Sequence, residues 1–184
     1  MFDFQFKQDT QEYVMKNATL TLSTSNPHIG VAFFNGLSKT NNFSHLKCPL
    51  KITSKQMARE QTIISYVATF SILNSILIED KNKKPLLIND SNFEKELNIV
   101  TNKQFQSLYG RTLHEPLKIY GHRLKKQVIK ETNRHAQDKV LFFTGQKGEL
   151  ILQGHPEDLQ LIYQDGLGLR KSQDFGLLEV LNHG

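Results

Sequence analysis

A glycine-rich, basic loop near the end of the chain constrains its fold more than any other feature. The segment DGLGLRKSQDFG (165–176) places three glycines and two cations between HPEDLQLIYQ (155–164), which has helical spacing, and a β-leaning run. Glycines beside Arg and Lys let backbone N–H groups approach a phosphate closely. A dinucleotide fingerprint needs a strand before its glycines and a helix after them, so this reversed order predicts no nucleotide cofactor. A tight connection made with turn glycines is the alternative.

The composition favours an anionic partner. The chain has 184 residues, a formal net charge of +5 and one cysteine, Cys48. A positive net charge attracts anions, and a single cysteine excludes an intramolecular disulfide or a multi-cysteine zinc site. No apolar run approaches the roughly 18 residues of a membrane span. The N-terminus alternates apolar and polar residues, so we expect a soluble cytoplasmic protein without a membrane partner.

The first part of the chain contains several short patterns. FDFQFK (2–7) alternates with period two, as a half-buried strand does. ATLTLSTS (18–25) and CPLKITS (48–54) are further strand candidates, and IGVAFF (29–34) is either a strand or the start of a helix. SKQMAREQTIISYVA (54–68) has apolar residues at helical spacing and predicts a helix.

The second part alternates longer elements. FSILNSILIED (70–80) and PLLIND (85–90) predict two strands. The stretch 91–110 opens with a Ser-x-x-Glu capping pattern at Ser91 and predicts a helix that ends near a glycine. KVLFFTGQKGELILQG (139–154) predicts two strands interrupted by its two glycines.

With the helix at 155–164 and the final strand, this order approximates βαββαβ, a ferredoxin-like unit. We therefore predict an α+β fold of ferredoxin-like (RRM-like) units, two of them in tandem. The expected domains are an abbreviated N-terminal unit over residues 1–64 and a C-terminal unit over residues 65–184 that contains the glycine-rich loop.

Most of the net positive charge lies in residues 103–135, which contain eight Lys or Arg and two Glu. HRLKKQVIKETNRH (122–135) predicts a helix whose basic face tracks phosphates, although a solvated helix surface has the same pattern. That face carries Arg123, Lys126, Lys130 and Arg134. The histidines of this segment, His114, His122 and His135, share no regular i, i+3 or i, i+4 pairing with acids of the kind that a metal site favours, so we predict no metal site.

The loop and its flanks resemble the CRISPR-associated repeat-processing endoribonucleases, which belong to the wider RAMP group of RNA-binding proteins. The family's C-terminal signature is a glycine-containing strand, a helix, Gly-x-Gly, a basic residue, Ser or Thr, and Phe-Gly before the last strand. The matching positions are Gly166, Gly168, Arg170, Lys171, Ser172, Phe175 and Gly176. Asp174 replaces a small residue, and Ser71-Ile72 replaces a usual Ser-Pro. The resemblance covers roughly Val67 to Leu181.

The resemblance implies metal-independent RNA cleavage, in which a 2′-hydroxyl attacks the adjacent phosphate. Such a reaction needs a base, an acid and cations near the developing charge, and histidine suits both proton transfers near neutral pH. Members of this family use a histidine in a loop of the N-terminal half, often with Tyr and Lys. The residues that resemble this set are His45, with Lys47 and Lys51, then His28 as a second histidine and Tyr13 as the phenol.

The resemblance also implies RNA contacts at the glycine loop. Arg170, Lys171 and Ser172 would contact the RNA backbone, and Gly166, Gly168 and Gly176 would let it approach. The implied partners are CRISPR repeat or guide RNA, other effector subunits and a second copy of the chain, with no cofactor.

Because the N-terminal half matches the family poorly, two hypotheses stay open. One is a nuclease that cuts the repeat transcript. The other is an inactive relative that holds guide RNA in an effector complex or interferes with one. A ribosomal or regulatory RNA-binding protein would explain the charge but not the glycine signature.

Overall fold

The computed structural model describes residues 2–7, 12–45, 48–132 and 140–182. Strands and helices are interspersed along the chain, and an irregular stretch, 52–66, separates the N-terminal elements from the C-terminal ones. The elements are β1 (Phe2–Lys7), β2 (Glu12–Ala18), α1 (Pro27–Ser38), β3 (Asn42–His45), β4 (Cys48–Lys51), β5 (Val67–Ile76), α2 (Phe93–Tyr109), β6 (Lys118–Thr132), β7 (Val140–Gln153), α3 (Pro156–Asp165) and β8 (Leu178–Asn182), with a 3-10 turn at Lys171–Gln173.

Two hairpins and one helix make up the described N-terminal part. β1 pairs antiparallel with β2, and β3 pairs antiparallel with β4. Helix α1 begins after Asn26, whose side chain accepts hydrogen bonds from the backbone N–H groups of His28 and Ile29. An N-cap of this kind satisfies donors that the first turn leaves free. The predicted strand at 2–7 is therefore confirmed, and the segment 29–34 is helical.

Strands β5 to β8 form one antiparallel sheet in the order β6-β7-β5-β8. Numbered within the unit, this order is 2-3-1-4, which is the ferredoxin-like arrangement of βαββαβ. One face of the sheet and the helices α2 and α3 share a single core. Its fully buried members include Phe70 and Ile72 of β5, Leu150 of β7, Leu97 of α2 and Leu159 of α3. The predicted α+β, ferredoxin-like fold is confirmed, while the boundary between residues 64 and 65 stays a prediction.

The largest correction concerns the basic segment, which is a strand and not a helix. Its residues pair with β7 from Lys118↔Gln153 to Thr132↔Val140. In a strand, neighbouring side chains point to opposite faces. Leu124 packs against the main core, whereas Ile129 packs against a second cluster made of Leu77, Phe143 and Phe175. The long backbone ladder and burial on both faces therefore outweigh the helical spacing of the apolar residues.

The segment predicted as two strands over 139–154 contains one strand, Val140–Gln153. Gly148 permits the ladder here because a Cβ at this position would lie 2.2 Å from the carbonyl oxygen of Arg123. The glycine thus allows a close approach of β6 and β7 and does not end the strand.

Four smaller predictions were wrong. The stretch 85–90 forms only an isolated bridge, Glu79↔Pro85. The helix predicted over 54–68 is absent, since 54–66 are irregular and β5 begins at Val67. The strand predicted over 18–25 is also absent, because β2 ends at Ala18 and 19–25 are irregular. The N-cap position of α2 is Asn92 and not Ser91, and the Asn92 side chain makes no capping hydrogen bond. Within the described residues, no helix has the length and apolar character needed to cross a membrane.

Candidate nucleic-acid interface

The glycine loop is fixed to the end of β5 by backbone hydrogen bonds. The N–H of Leu169 donates to the carbonyl oxygen of Leu77 at 2.9 Å, and the N–H of Gly176 donates to that of Ser75 at 2.8 Å. Inside the loop, the N–H of Leu167 donates to the carbonyl oxygen of Gly176 at 2.9 Å, and the Leu167 side chain is fully buried. The loop is therefore a packed part of the domain.

Packing against the protein's own backbone explains why two positions of the loop are glycine. Gly168 has φ +89°, and a Cβ there would lie 2.8 Å from the carbonyl oxygen of Leu77. Gly176 has φ +75°, and its Cβ would lie 2.0 Å from the carbonyl oxygen of Leu167. A side chain fits neither the space nor the backbone conformation. The RNA contacts predicted for Gly166, Gly168 and Gly176 stay predictions, because the close approach seen here is to the protein's own backbone.

The two loop cations have different surroundings. The guanidinium carbon of Arg170 lies 4.4 Å from the ring centroid of Phe143, and its Nη1 donates to Gln173 Oε1 at 2.9 Å. Arg170 is exposed. Lys171 is half-buried, and burial lowers the pKa of its amine while the nearby Asp165 carboxylate opposes that shift. Arg170 is therefore the loop cation with the better access to a phosphate, and Ser172 beside it is exposed.

A polar cluster joins the start of the loop to the N-terminal part. Asp165 accepts hydrogen bonds from the backbone N–H of Ser25 at 2.7 Å, from the Ser25 hydroxyl at 2.9 Å and from the Tyr109 hydroxyl. Burial and the hydrogen bond to Asp165 raise the pKa of Tyr109 to about 12. Since Ser25 directly precedes the cap of α1, this cluster fixes the beginning of α1 against the loop.

Four cations line a shallow groove on the β6–β7 hairpin. The groove is formed by Arg123, Lys125, Lys126, Gln127, Lys147 and Gly148. In the register of the hairpin Lys125 lies opposite Lys147, so two strands contribute charge to one surface. Arg123 is 83% exposed and makes one ion pair, to Glu149 at 3.4 Å. Such an exposed pair contributes little stability and leaves the groove positively charged.

Strand geometry divides the predicted basic face. Arg123 and Lys125 lie on one face of β6, whereas Lys126 and Lys130 lie on the other, because side chains alternate along a strand. Arg134 lies outside the described residues. Lys125 and Lys147 were not predicted as members of the basic face, because only the pairing of β6 with β7 brings them together.

The N-terminal candidates are spread over several elements. His45 ends β3, and its backbone lies opposite Cys48, whereas Lys51 ends β4 opposite Asn42. His45 and Lys51 are thus at different ends of the same hairpin, and Lys47 lies outside the described residues. His28 is exposed in the first turn of α1. Tyr13 lies in β2 opposite Phe6.

A cluster at the start of α3 was not found from the sequence. Ligand atoms of His114, His155 and Asp158 lie within 4.8 Å of one another. Burial lowers the pKa of the Arg111 guanidinium, but its hydrogen bond and ion pair with the buried Asp158 outweigh this effect and raise the pKa. His155 and Asp158 are spaced i, i+3, which is the signal that could have found them. His122, by contrast, is an exposed residue of β6.

These features define a class: a ferredoxin-like domain with a packed glycine loop and a basic hairpin. The family model described as "CRISPR associated protein Cas6, C-terminal" matches residues 56–180. The chain therefore belongs to the Cas6 family of CRISPR-associated proteins, as its sequence resemblance predicted. No curated protein matches the chain at the sequence level.

Solved structures share the fold at low sequence identity. A Cas6-related protein from Pyrococcus furiosus is 16% identical, with a TM-score of 0.72 over 99% of this chain and 75% of that one. A structure described as a RAMP protein binding different RNA substrates is 17% identical, with a TM-score of 0.60 over 87% of this chain and 67% of that one. A third, a CRISPR associated protein Cas6, is 17% identical, with a TM-score of 0.63 over 87% and 66%.

Proposed function

We propose that this protein binds CRISPR repeat RNA and cleaves it by metal-independent attack of a 2′-hydroxyl. The observation that carries the proposal is the match of residues 56–180 to the C-terminal model of the Cas6 family. The basic hairpin and the exposed Arg170 of the glycine loop supply the physical means of holding RNA.

RNA binding rests on charge placed where a backbone can reach it. Arg123, Lys125 and Lys147 line one groove, and each phosphate that they neutralise releases counterions and adds salt-dependent affinity. A groove of this kind recognises the shape and phosphates of RNA more than its bases. One structural relative is described as binding different RNA substrates, which agrees with this mode.

Cleavage requires proton transfer at two oxygens. The 2′-oxygen attacks phosphorus and loses its proton to a base, while the bond to the 5′-oxygen breaks and that oxygen receives a proton from an acid. The products are a 2′,3′-cyclic phosphate and a 5′-hydroxyl. We assign His45 to proton transfer, with Lys51 or Lys47 stabilising the charge on phosphorus. His28 is the second histidine candidate for proton transfer. Tyr13 is the phenol that could replace a histidine in that role.

A second candidate function is RNA binding without cleavage. The observation that favours it is the separation of His45 and Lys51, whose backbones stand three register positions apart in the β3–β4 hairpin. A relative that keeps the basic groove but lacks a complete catalytic group would hold guide RNA in an effector complex or interfere with one. Other effector subunits, or a second copy of the chain, would then be its protein partners.

The test is incubation of the full chain with end-labelled repeat RNA in EDTA, followed by analysis of the product ends. We expect a single cut that gives a cyclic phosphate. A product with a 3′-hydroxyl would contradict the proposed chemistry. Tight binding with no cut would support the binding function instead.

A further inference from the structure

Three side chains able to bind metal ions meet at the start of α3. His155 precedes the helix, Asp158 lies in its first turn, and His114 belongs to the connector between α2 and β6. One ligand atom from each residue lies within 4.8 Å of the others. We propose that His114, His155 and Asp158 form a binding site for a divalent transition-metal ion of the zinc type, which joins this connector to α3. The site plays no part in the proposed cleavage reaction.

The distance between two of the ligands is a few tenths of an ångström shorter than zinc requires. His114 Nδ1 lies 2.9 Å from Asp158 Oδ1. Zinc binds nitrogen and carboxylate oxygen at about 2.0–2.2 Å in a tetrahedron, which places neighbouring ligand atoms roughly 3.3 Å apart. A small outward movement of His114 would therefore admit the ion between these two atoms. The ion would replace the proton that they now share.

The third ligand has a nitrogen to offer. His155 Nδ1 is buried and has no hydrogen-bond partner among the residues that the structure describes. A buried polar atom without a partner is destabilising. The ring is positioned instead by aromatic neighbours: its centroid lies 4.2 Å from that of His114 and 5.8 Å from that of Tyr66. Metal coordination would give this histidine nitrogen a polar partner, which the described part of the chain does not supply.

A nearby cation limits the affinity of the site. Arg111 Nη1 lies 2.7 Å from Asp158 Oδ1, so a metal ion must displace the guanidinium from that oxygen. Arg111 Nη2 also lies 3.2 Å from Glu157, which would remain its partner. The positive end of the α3 dipole opposes a cation as well. The backbone N–H of His114 donates to Asp158 Oδ2 at 2.7 Å and holds the carboxylate in place throughout.

The ligand atoms of the site favour one class of metal ion over another. Imidazole nitrogens favour zinc and its neighbours in the transition series, whereas Mg²⁺ prefers oxygen ligands. A water molecule can complete the tetrahedron. We therefore expect Zn²⁺ to bind and Mg²⁺ not to compete.

The test is calorimetric titration of the full chain with ZnCl2 alone, together with the change in melting temperature. The protein carries Cys48→Ser, because Cys48 lies opposite His45 in the β3–β4 hairpin and could bind zinc independently. We expect one ion per chain and a higher melting temperature. His155→Gln and His114→Gln should each weaken binding at least about 10-fold, and Arg111→Gln should strengthen it. His122→Gln, at an exposed histidine of β6, is the matched control and should change nothing.

Several results would overturn the site. These are the absence of zinc binding in the Cys48→Ser protein, affinity that survives loss of both His114 and His155, and affinity that depends on His122. Arg111→Gln keeps all three proposed ligands, so weaker binding in this variant would also contradict the site even if the histidine variants fold poorly. Cleavage of RNA in EDTA is measured separately, so failure of the metal site and failure of the proposed nuclease are distinguishable.

Discussion

The guanidinium of Arg170 stacks over the ring of Phe143, with 4.4 Å between its central carbon and the ring centroid. Arg170 belongs to the glycine loop and Phe143 to β7, so this contact joins the loop to the basic hairpin. Phe143 also packs edge-to-face on Phe175 at 5.8 Å, and the backbone N–H of the next residue, Gly176, donates to β5. Loop, hairpin and central strand therefore meet in one cluster.

The first prediction is that Arg170 and Phe143 are energetically coupled. A cation over an aromatic face at an accessible site contributes about 0.5–1 kcal/mol. A double-mutant cycle with Arg170→Ala and Phe143→Leu, measured by urea unfolding, should show a coupling of this size. The pair Arg123→Ala with Phe143→Leu is the control, and it should be additive because Arg123 pairs with Glu149 further along the hairpin. Additive effects in both cycles would show that the stacking has no energetic consequence.

The second prediction concerns the glycine loop. Gly168→Ala should lower the free energy of unfolding by about 1–3 kcal/mol, since a side chain is strained at φ +89° and would meet the carbonyl oxygen of Leu77. Gly36→Ala in α1 is the matched control: it has no atom within 4 Å of its Cβ and should stabilise by roughly 0.5–1 kcal/mol. If Gly168→Ala keeps full stability but loses RNA affinity, the glycine serves RNA approach and not packing.

The third prediction tests which face of the hairpin holds RNA. Replacing Arg123, Lys125 and Lys147 by Gln should weaken repeat RNA binding and flatten its salt dependence, each lost phosphate contact lowering the slope by roughly 0.7 to 0.9. Lys130→Gln, on the opposite face of β6 and outside the groove lining, should weaken binding less than the groove substitutions. The control changes the same charge elsewhere, at the exposed residues Lys81, Lys95 and Lys103. Equal losses in the groove triple and the control would mean that only net charge matters.

The fourth prediction is a loss of stability in strong alkali that depends on Tyr109. Its pKa is raised from 10.0 to about 12, so the unfolded chain releases this proton first as the pH rises. The contribution of Tyr109 to the free energy of unfolding is therefore fully present below pH 10 and is lost between pH 10 and 12. Tyr109→Phe should remove that part of the decline, measured as the difference from the unmodified protein. Tyr66→Phe, at an exposed tyrosine, should leave the decline unchanged.

Local patterns predicted much of the fold but little of the site. The amphipathic spacing of residues 93–109 and 156–165 matches α2 and α3, because each helix buries one face on the sheet. The prediction of a helix for the basic segment was wrong because its apolar residues contact two different clusters on opposite faces. Only the pairing with β7 reveals this arrangement. The cluster of His114 with His155 and Asp158 joins residues more than forty positions apart, so only the fold brings them together.

One measurement tests directly whether a 2′-hydroxyl of the RNA is the nucleophile in the proposed cleavage. Repeat RNA with a single 2′-deoxy nucleotide at the cut site is compared with unmodified RNA in EDTA, for both binding and cleavage. We predict equal affinity and no cut of the deoxy RNA. His45→Ala should slow the cut of unmodified RNA by roughly 10²–10⁴, as loss of a general acid or base does, and His28→Ala should have little effect. Continued cleavage of the deoxy RNA at the same position would contradict the account.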